Sequence, residues 1–177
     1  MSITIETRTT EELGKGGRAE LRTMLEGCFG ERYGDTAWQH CLGGIHYLLR
    51  YRGELAAHGS LVPRWFKQGN VALRGMYGES MATVPHLRHR GLGSIVVAMA
   101  TAEIRLHHEI GVFAASKYEF YERQGWQKWR GPTFVRTDEE TLPAAPARGA
   151  VMFRLPVDSS VNPDADLTTD WRDGDIW

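Results

Sequence analysis

Cysteine is scarce, with only Cys28 and Cys41 in 177 residues. Two isolated thiols argue against a disulfide framework and fit buried side chains in a reducing cytoplasm. Clustered Cys/His ligands are missing, and the adjacent His107-His108 point apart on a helix, so no metal is expected. No apolar run is long enough to span a membrane. The start, Met1-Ser2-Ile3-Thr4-Ile5-Glu6, lacks the basic region and long apolar run of a secretory signal. An excess of one charge is also lacking: 21 Lys and Arg face 22 Asp and Glu, which removes any global electrostatic case for nucleic acid. With 42% apolar and 24% charged residues the chain is not disordered in composition, and its length suits one domain.

What charge there is lies unevenly. Asp158, Asp164, Asp166, Asp170, Asp173 and Asp175 crowd residues 158–177 against Arg172 alone, while Arg88-His89-Arg90 is a basic cluster. Opposite poles of this kind suit a protein that handles one anionic and one cationic molecule. The acidic stretch also reads as a solvated tail, but Trp171, Ile176 and Trp177 are apolar anchors that would dock it.

Ile3–Arg8 alternates like a strand, and Thr9-x-x-Glu12 has the spacing of a capping box. A helix is predicted over 11–28, with Leu13, Leu21, Met24, Leu25 and Cys28 inward. A short helix at 36–42 stops at Gly43-Gly44. Residues 45–51 and 55–62 read as a hairpin turned at Arg52-Gly53, followed by strands at 71–74 and 75–84. Leu92, Ile95, Val96, Met99 and Leu106 recur at helical spacing, predicting a helix up to Gly111. A strand at 112–115, a short helix at 117–124 stopped by Gly125, a strand at 126–129, a loop at 137–149 and a strand at 151–156 complete the order. This predicts one mixed α/β domain over 1–177. A mostly antiparallel central sheet is flanked by helices, and 157–177 is an acidic tail docking on the acceptor site.

The segment Arg88-His89-Arg90-Gly91-Leu92-Gly93 falls between a strand and a helix. A basic, glycine-containing turn that opens a helix offers backbone N–H groups and the positive end of the helix dipole to a pyrophosphate. Its plain alternative is an Arg-rich surface turn. The spacing R-x-x-G-x-G resembles the acetyl-CoA pyrophosphate loop of the GNAT N-acetyltransferases.

Longer matches resemble one GNAT branch, the aminoglycoside 2′-N-acetyltransferases. They are Trp38-Gln39-His40-Cys41-Leu42-Gly43-Gly44-Ile45-His46, Tyr77-Gly78-Glu79, Tyr121-Glu122-Arg123-Gln124-Gly125-Trp126, and Asp170-Trp171-Arg172-Asp173-Gly174-Asp175-Ile176-Trp177. The resemblance implies a GNAT fold, acetyl-CoA as co-substrate, a small-molecule aminoglycoside as acceptor and a homodimer. It implies Glu79 as a base near the acceptor amine, and Tyr121 as the acid that protonates the departing thiolate. The strand residues Met81, Ala82 and Thr83 then pair with the pantetheine arm, and Arg88, His89, Arg90, Gly91, Leu92, Gly93 and Ser94 bind the pyrophosphate. Asp175 and the Trp177 carboxylate hold the ammonium groups of the antibiotic, and that carboxylate could also accept the amine's proton. Tyr118, one turn before Tyr121, competes for the acid role but falls outside the Y-x-x-x-G-W match.

Departures from the branch matter. Arg32 and Ala37 stand where relatives carry acidic residues facing the antibiotic, with only Glu31 and Asp35 nearby, Asp35 being the expected contact. Pro146-Ala147-Arg148-Gly149 replaces another acidic run. A less acidic pocket, narrowed by aromatics such as Tyr33, Trp65 and Phe66, suggests a smaller, less charged acceptor, with kasugamycin the leading candidate. The competing readings are a GNAT acting on a polyamine or protein N-terminus, and a non-catalytic acetyl-CoA-binding module.

Overall fold

Ten strands and four α-helices make a mixed α/β fold in a computed structural model that describes residues 2–147 and 149–177. Met1 and the Arg148 of the substituted acidic run lie outside the described residues. Contacts divide the chain into two units: Met1–Val62 with Gly78–Ala100, and Pro63–Tyr77 with Thr101–Trp177. Strands β3 (Glu54–Gln68) and β4 (Val71–Thr83) and helix α3 (Leu92–His107) each contribute residues to both.

In the first unit β1 (Ile3–Thr9) pairs antiparallel with β2 (Ile45–Tyr51), and β2 pairs antiparallel with β3. Arg52 (φ 53°) and Gly53 (φ 85°) are both left-handed, as a tight two-residue hairpin turn requires. A bulge between Leu49 and Arg50 shifts the β2–β3 register by one residue: Arg50 faces Leu55, but Leu49 faces Ala57. The capping box closes as its spacing predicts. The Thr9 N–H donates to the Glu12 carboxylate (2.7 Å) and the Glu12 N–H to Thr9 Oγ1 (3.3 Å). Helix α1 (Gly14–Phe29) follows and buries Leu21, Met24 and Leu25 on one face; Trp38 and Cys41 do the same for α2 (Asp35–Cys41). Leu21 and Leu25 are fully buried, where truncation to Ala costs about 2–5 kcal/mol.

In the second unit β5 (Ile110–Ala115) runs parallel to β4 and antiparallel to β9 (Ala150–Arg154), which also pairs with β6 (Gln127–Lys128). Strand β10 (Leu167–Asp170) lies between the end of β3 and β7 (Thr133–Arg136), and β8 (Thr141–Pro143) flanks β7. Helix α4 (Tyr118–Glu122) ends in a Schellman motif. The Gly125 N–H donates to the Glu122 carbonyl (3.0 Å) and the Trp126 N–H to the Tyr121 carbonyl (3.2 Å), with Gly125 left-handed at φ 82°. The Tyr121-x-x-x-Gly125-Trp126 motif is thus a helix terminator. Both its aromatics pack edge-on against Phe113, at 4.5 and 4.6 Å between centroids.

The predicted elements shift at several points. Residues 71–83 are one strand, not two. Helix α3 ends at His107, short of Gly111, because Ile110 and Gly111 already belong to β5. Strands β8 and β10 occupy stretches predicted as loop and tail, and β7 falls between the predicted strand 126–129 and the loop 137–149. The sequence Leu167-Thr168-Thr169-Asp170 has little apolar character, yet its first three residues are buried because β3 and β7 cover both edges.

Candidate functional site

Glu79 lies half-buried on β4 between Gly78 and Ser80. Ser80 is left-handed (φ 50°) inside a strand. A non-glycine residue in that region costs roughly 1–3 kcal/mol and persists only where its surroundings hold it. Here they do. The Tyr33 and Ser80 hydroxyls are 2.8 Å apart, and His58 Nδ1 lies 3.0 Å from the Ser80 carbonyl. Ser60 Oγ donates to the Glu79 carbonyl (3.3 Å). His58 and Ser60 stand two apart on β3, on one face, and so capture two consecutive carbonyls of β4. An unkinked strand would point those carbonyls in opposite directions. The Cys41 thiol shares this pocket with Tyr33, Ser60 and Ser80, and burial pushes it up to about 11. Burial also raises the Tyr33 hydroxyl, so both stay protonated at neutral pH.

The half-buried Met81, Ala82 and Thr83 continue β4. Gly59 on β3 admits the Met81 side chain; a Cβ there would strike its sulfur and Val96 Cγ1. After β4 a 3₁₀ turn, Pro85–Leu87, leads into the basic loop. Arg88 Nε donates to the Thr83 carbonyl (3.1 Å), tying the loop to the strand end. Arg90 lies 6.0 Å from the centroid of the Tyr51 ring. His89 (φ 63°) and Gly91 (φ 79°) are both left-handed, an alternation that turns successive N–H groups toward one side. The first i→i−4 bond of α3 runs from Ile95 N–H to Gly91 carbonyl (3.2 Å). The N–H groups of Leu92, Gly93 and Ser94 therefore precede the helical ladder. No acidic residue occupies the first turn of α3. This is the form of an anion cradle.

Asp35, expected at the antibiotic, is exposed and accepts from Arg22 at 2.6 Å. Trp65 is exposed, whereas Tyr33 and Phe66 are buried.

The second unit holds the remaining expected residues. Among the described residues the β4–β5 register runs from Gly75↔Ile110 to Tyr77↔Val112 and stops, although β4 continues to Thr83 and β5 to Ala115. Burial raises the Tyr121 hydroxyl to about 12, keeping it a proton donor at neutral pH. Tyr118 is covered by Lys128, whose Nζ sits 3.3 Å from the ring centroid.

Arg64 organises the tail. Its guanidinium donates to the Ile176 carbonyl (2.7 Å) and the Asp170 carbonyl (2.9 Å) and lies 4.9 Å from the Tyr77 ring centroid. Arg172 lies at the same distance from Tyr77 and donates to the Asp175 carbonyl (2.7 Å). Trp177 is buried and stacks on Phe66 at 6.3 Å, and its indole N–H is buried with no acceptor among the described residues. Asp175 is exposed. Trp171, expected as an anchor, instead stays 60% exposed, because it is the backbone of β10 that fixes the tail here.

Sequence reasoning missed Ser80, His58 and Arg64. Only a register and a backbone angle reveal the first two. Arg64 lies just past the predicted strand 55–62, and its role is hidden until β3 is seen to run to Gln68 beside β10.

The acetyltransferase (GNAT) family profile matches residues 18–126. An aminoglycoside 2′-N-acetyltransferase from Mycolicibacterium fortuitum is 32% identical, the match covering 95% of this chain and 89% of that protein. Among solved structures, the GNAT family N-acetyltransferase YhbS from Escherichia coli, in complex with CoA, has a TM-score of 0.68 at 13% identity, covering 96% of this chain and 89% of that one. A GNAT family acetyltransferase from Brucella melitensis, in complex with acetyl-CoA, has a TM-score of 0.64 at 11% identity, covering 94% of each chain. These two likenesses establish the fold. Larger structures match too, among them a GCN5-related N-acetyltransferase from Anabaena variabilis, and the chain spans 33% of their length.

Proposed function

This chain belongs to the GNAT acetyltransferase family and, within it, to the aminoglycoside 2′-N-acetyltransferases, and we propose that it acetylates the 2′-amine of an aminoglycoside, with kasugamycin the leading acceptor, so conferring resistance. The observation that carries the cofactor half is the cradle over 88–94: two left-handed residues, two arginines and a helix start without acid. In this reading the N–H groups of Gly91–Ser94 with Arg88, His89 and Arg90 hold the pyrophosphate of acetyl-CoA, and the backbone of Met81–Thr83 holds its pantetheine arm.

Glu79 takes a proton from the acceptor amine as the amine nitrogen bonds to the acetyl carbonyl carbon. Tyr121 gives its proton to the sulfur as the carbon–sulfur bond breaks. A backbone amide of the Met81–Thr83 strand polarises the thioester carbonyl. Asp175 and Trp177 hold ammonium groups of the acceptor. The pairing of Asp35 with Arg22 removes one acidic contact, which supports an acceptor of lower charge. The same family reading carries a homodimer, which light scattering on the purified protein checks.

Thiol release from acetyl-CoA, followed with kasugamycin, kanamycin and gentamicin in turn, tests the function. Release with kasugamycin above the others is the expected result. No release with any of them refutes aminoglycoside transfer, and turnover of kanamycin without kasugamycin refutes the acceptor choice. Glu79→Gln should lower turnover across the pH range; an undiminished rate removes Glu79 from the chemistry.

A further inference from the structure

Two histidines in the first unit have no part in the chemistry above. His46 and His58 are 0% and 1% exposed. His46 Nε2 is 2.8 Å from Thr10 Oγ1, His46 Nδ1 is 3.0 Å from His58 Nε2, and His58 Nδ1 is 3.0 Å from the Ser80 carbonyl. The line begins where Thr10 Oγ1 accepts from the N–H groups of Gly43 (2.8 Å) and Gly44 (3.3 Å).

The partners at the ends fix every proton between them. A carbonyl only accepts, so His58 carries its proton on Nδ1. A neutral His58 then presents a bare Nε2, which only a His46 Nδ1–H can satisfy. A neutral His46 is bare at Nε2 in turn and accepts from the Thr10 hydroxyl at 2.8 Å, well inside the 3.4 Å to that hydroxyl's other acceptor, the Gly44 carbonyl, while the Thr10 oxygen receives two backbone N–H groups. The chain runs one way, from the Gly43-Gly44 turn to Ser80, with both rings neutral. Burial agrees: it lowers His46 to about 4, and burial with the neighbouring His46 lowers His58 to about 3.

We propose that Thr10, His46 and His58 form a directional hydrogen-bond chain that locks Ser80 in its left-handed conformation, and that both histidines are thereby positioning residues for Glu79 and Met81 in acetyl transfer. Ser80 joins these two residues, so its φ sets their relative direction. The Ser80 carbonyl is held by His58, its hydroxyl by Tyr33, and the preceding carbonyl by Ser60. Without the His58 donor, Ser80 can relax to an extended φ, which would re-aim both neighbours. The inference rests on the acetyl-transfer reading for its kinetic half only.

The test uses the full chain. Long-range ¹H–¹⁵N spectra of the imidazole nitrogens at neutral pH should show both rings protonated at Nδ1 and bare at Nε2. An Nε2–H tautomer or a charged ring at either residue overturns the chain. Steady-state kinetics then compare His58→Leu, which deletes the donor to Ser80, with His58→Asn, whose amide N–H stands near the old Nδ1. His58→Leu should lose at least about tenfold in kcat with KM for acetyl-CoA held within about threefold, and His58→Asn should recover most of that loss. Unchanged kcat in His58→Leu, or equal losses in two folded variants, overturns positioning. Should His58→Leu fail to fold, Thr10→Val breaks the far end; it removes the donor to His46 Nε2, so it should shift that nitrogen's resonance while the Nδ1–H tautomer stays, and lower kcat, and unaltered spectra and rates refute the chain. Absence of thiol release by the unaltered protein would instead sink the acetyl-transfer reading, while the spectra still decide the chain.

Discussion

Arg64→Met should loosen the tail while leaving the basic turn over 88–94 intact. The substitution keeps the stem of the side chain but removes two charged N–H donors, to the Ile176 carbonyl at 2.7 Å and the Asp170 carbonyl at 2.9 Å, and a guanidinium 4.9 Å from the Tyr77 centroid. A hydrogen bond from a charged donor contributes about 1.5–3 kcal/mol, and a cation–π contact about 0.5–1 kcal/mol. Asp170 and Ile176 are only half-buried, so water can reach the abandoned carbonyls, and the low end applies. The net cost is then about 3.5 kcal/mol, or a Tm lower by roughly 7–14 °C for a chain of this length. Calorimetric titration reads the functional half: aminoglycoside affinity should fall at least about tenfold, while acetyl-CoA affinity stays within about twofold. Equal weakening of both ligands would mean that Arg64 supports the fold as a whole. An unchanged aminoglycoside Kd with a lowered Tm would separate the tail from acceptor binding.

Other outcomes follow from the same structure. His46 and His58 are neutral when folded and titrate near 6.5 when unfolded, so the unfolded chain binds more protons below that value. Stability should therefore fall as pH drops from 7 to 5, by about 2 kcal/mol per ring. Glu11 and Arg18 act on His46 in opposite senses and leave burial as the main cause. Urea unfolding at both pH values checks this, and His58→Asn, which does not titrate there, should flatten the dependence. Tyr121→Phe keeps the ring against Phe113 but removes the proton donor, so kcat should drop with Tm nearly unchanged; equal rates would exclude Tyr121 as the acid. Gly125→Ala forces a side chain into φ 82° and should cost about 1 kcal/mol or more in denaturant unfolding, with no loss implying that the Schellman turn can re-form elsewhere.

The cradle was readable from the sequence because its physics is local. Glycine and basic residues between a strand and a helix prescribe a conformation that needs few distant contacts. The capping box at Thr9–Glu12 and the hairpin turn at Arg52-Gly53 were legible for the same reason. The histidine chain was not. A two-residue turn with regular pairing sets His46 against Gly59 and places His58 on the opposite face. The bulge at Leu49/Arg50 advances the register by one and brings both rings to the same face. Nothing in the residues near Ser80 requires a left-handed serine; side chains from β3 and Tyr33 impose it. Strand β10 was hidden because a threonine-rich strand acquires burial only from its partners, and these are remote in sequence: Thr168 pairs with Lys67 of β3 and with Phe134 of β7.

The position of β10 has a bearing on biosynthesis. It is made after every other strand of its unit, yet it sits between β3 and β7. While the nascent chain lengthens, the facing edges of β3 and β7 carry unpaired backbone groups, and such edges recruit strands from other molecules. Closing the slot requires a loop of about a hundred residues, which slows the step. The interval between synthesis of β7 and arrival of β10 is therefore when this protein is most exposed to aggregation, and a lesion in residues 167–170 would act first on yield and only afterwards on activity.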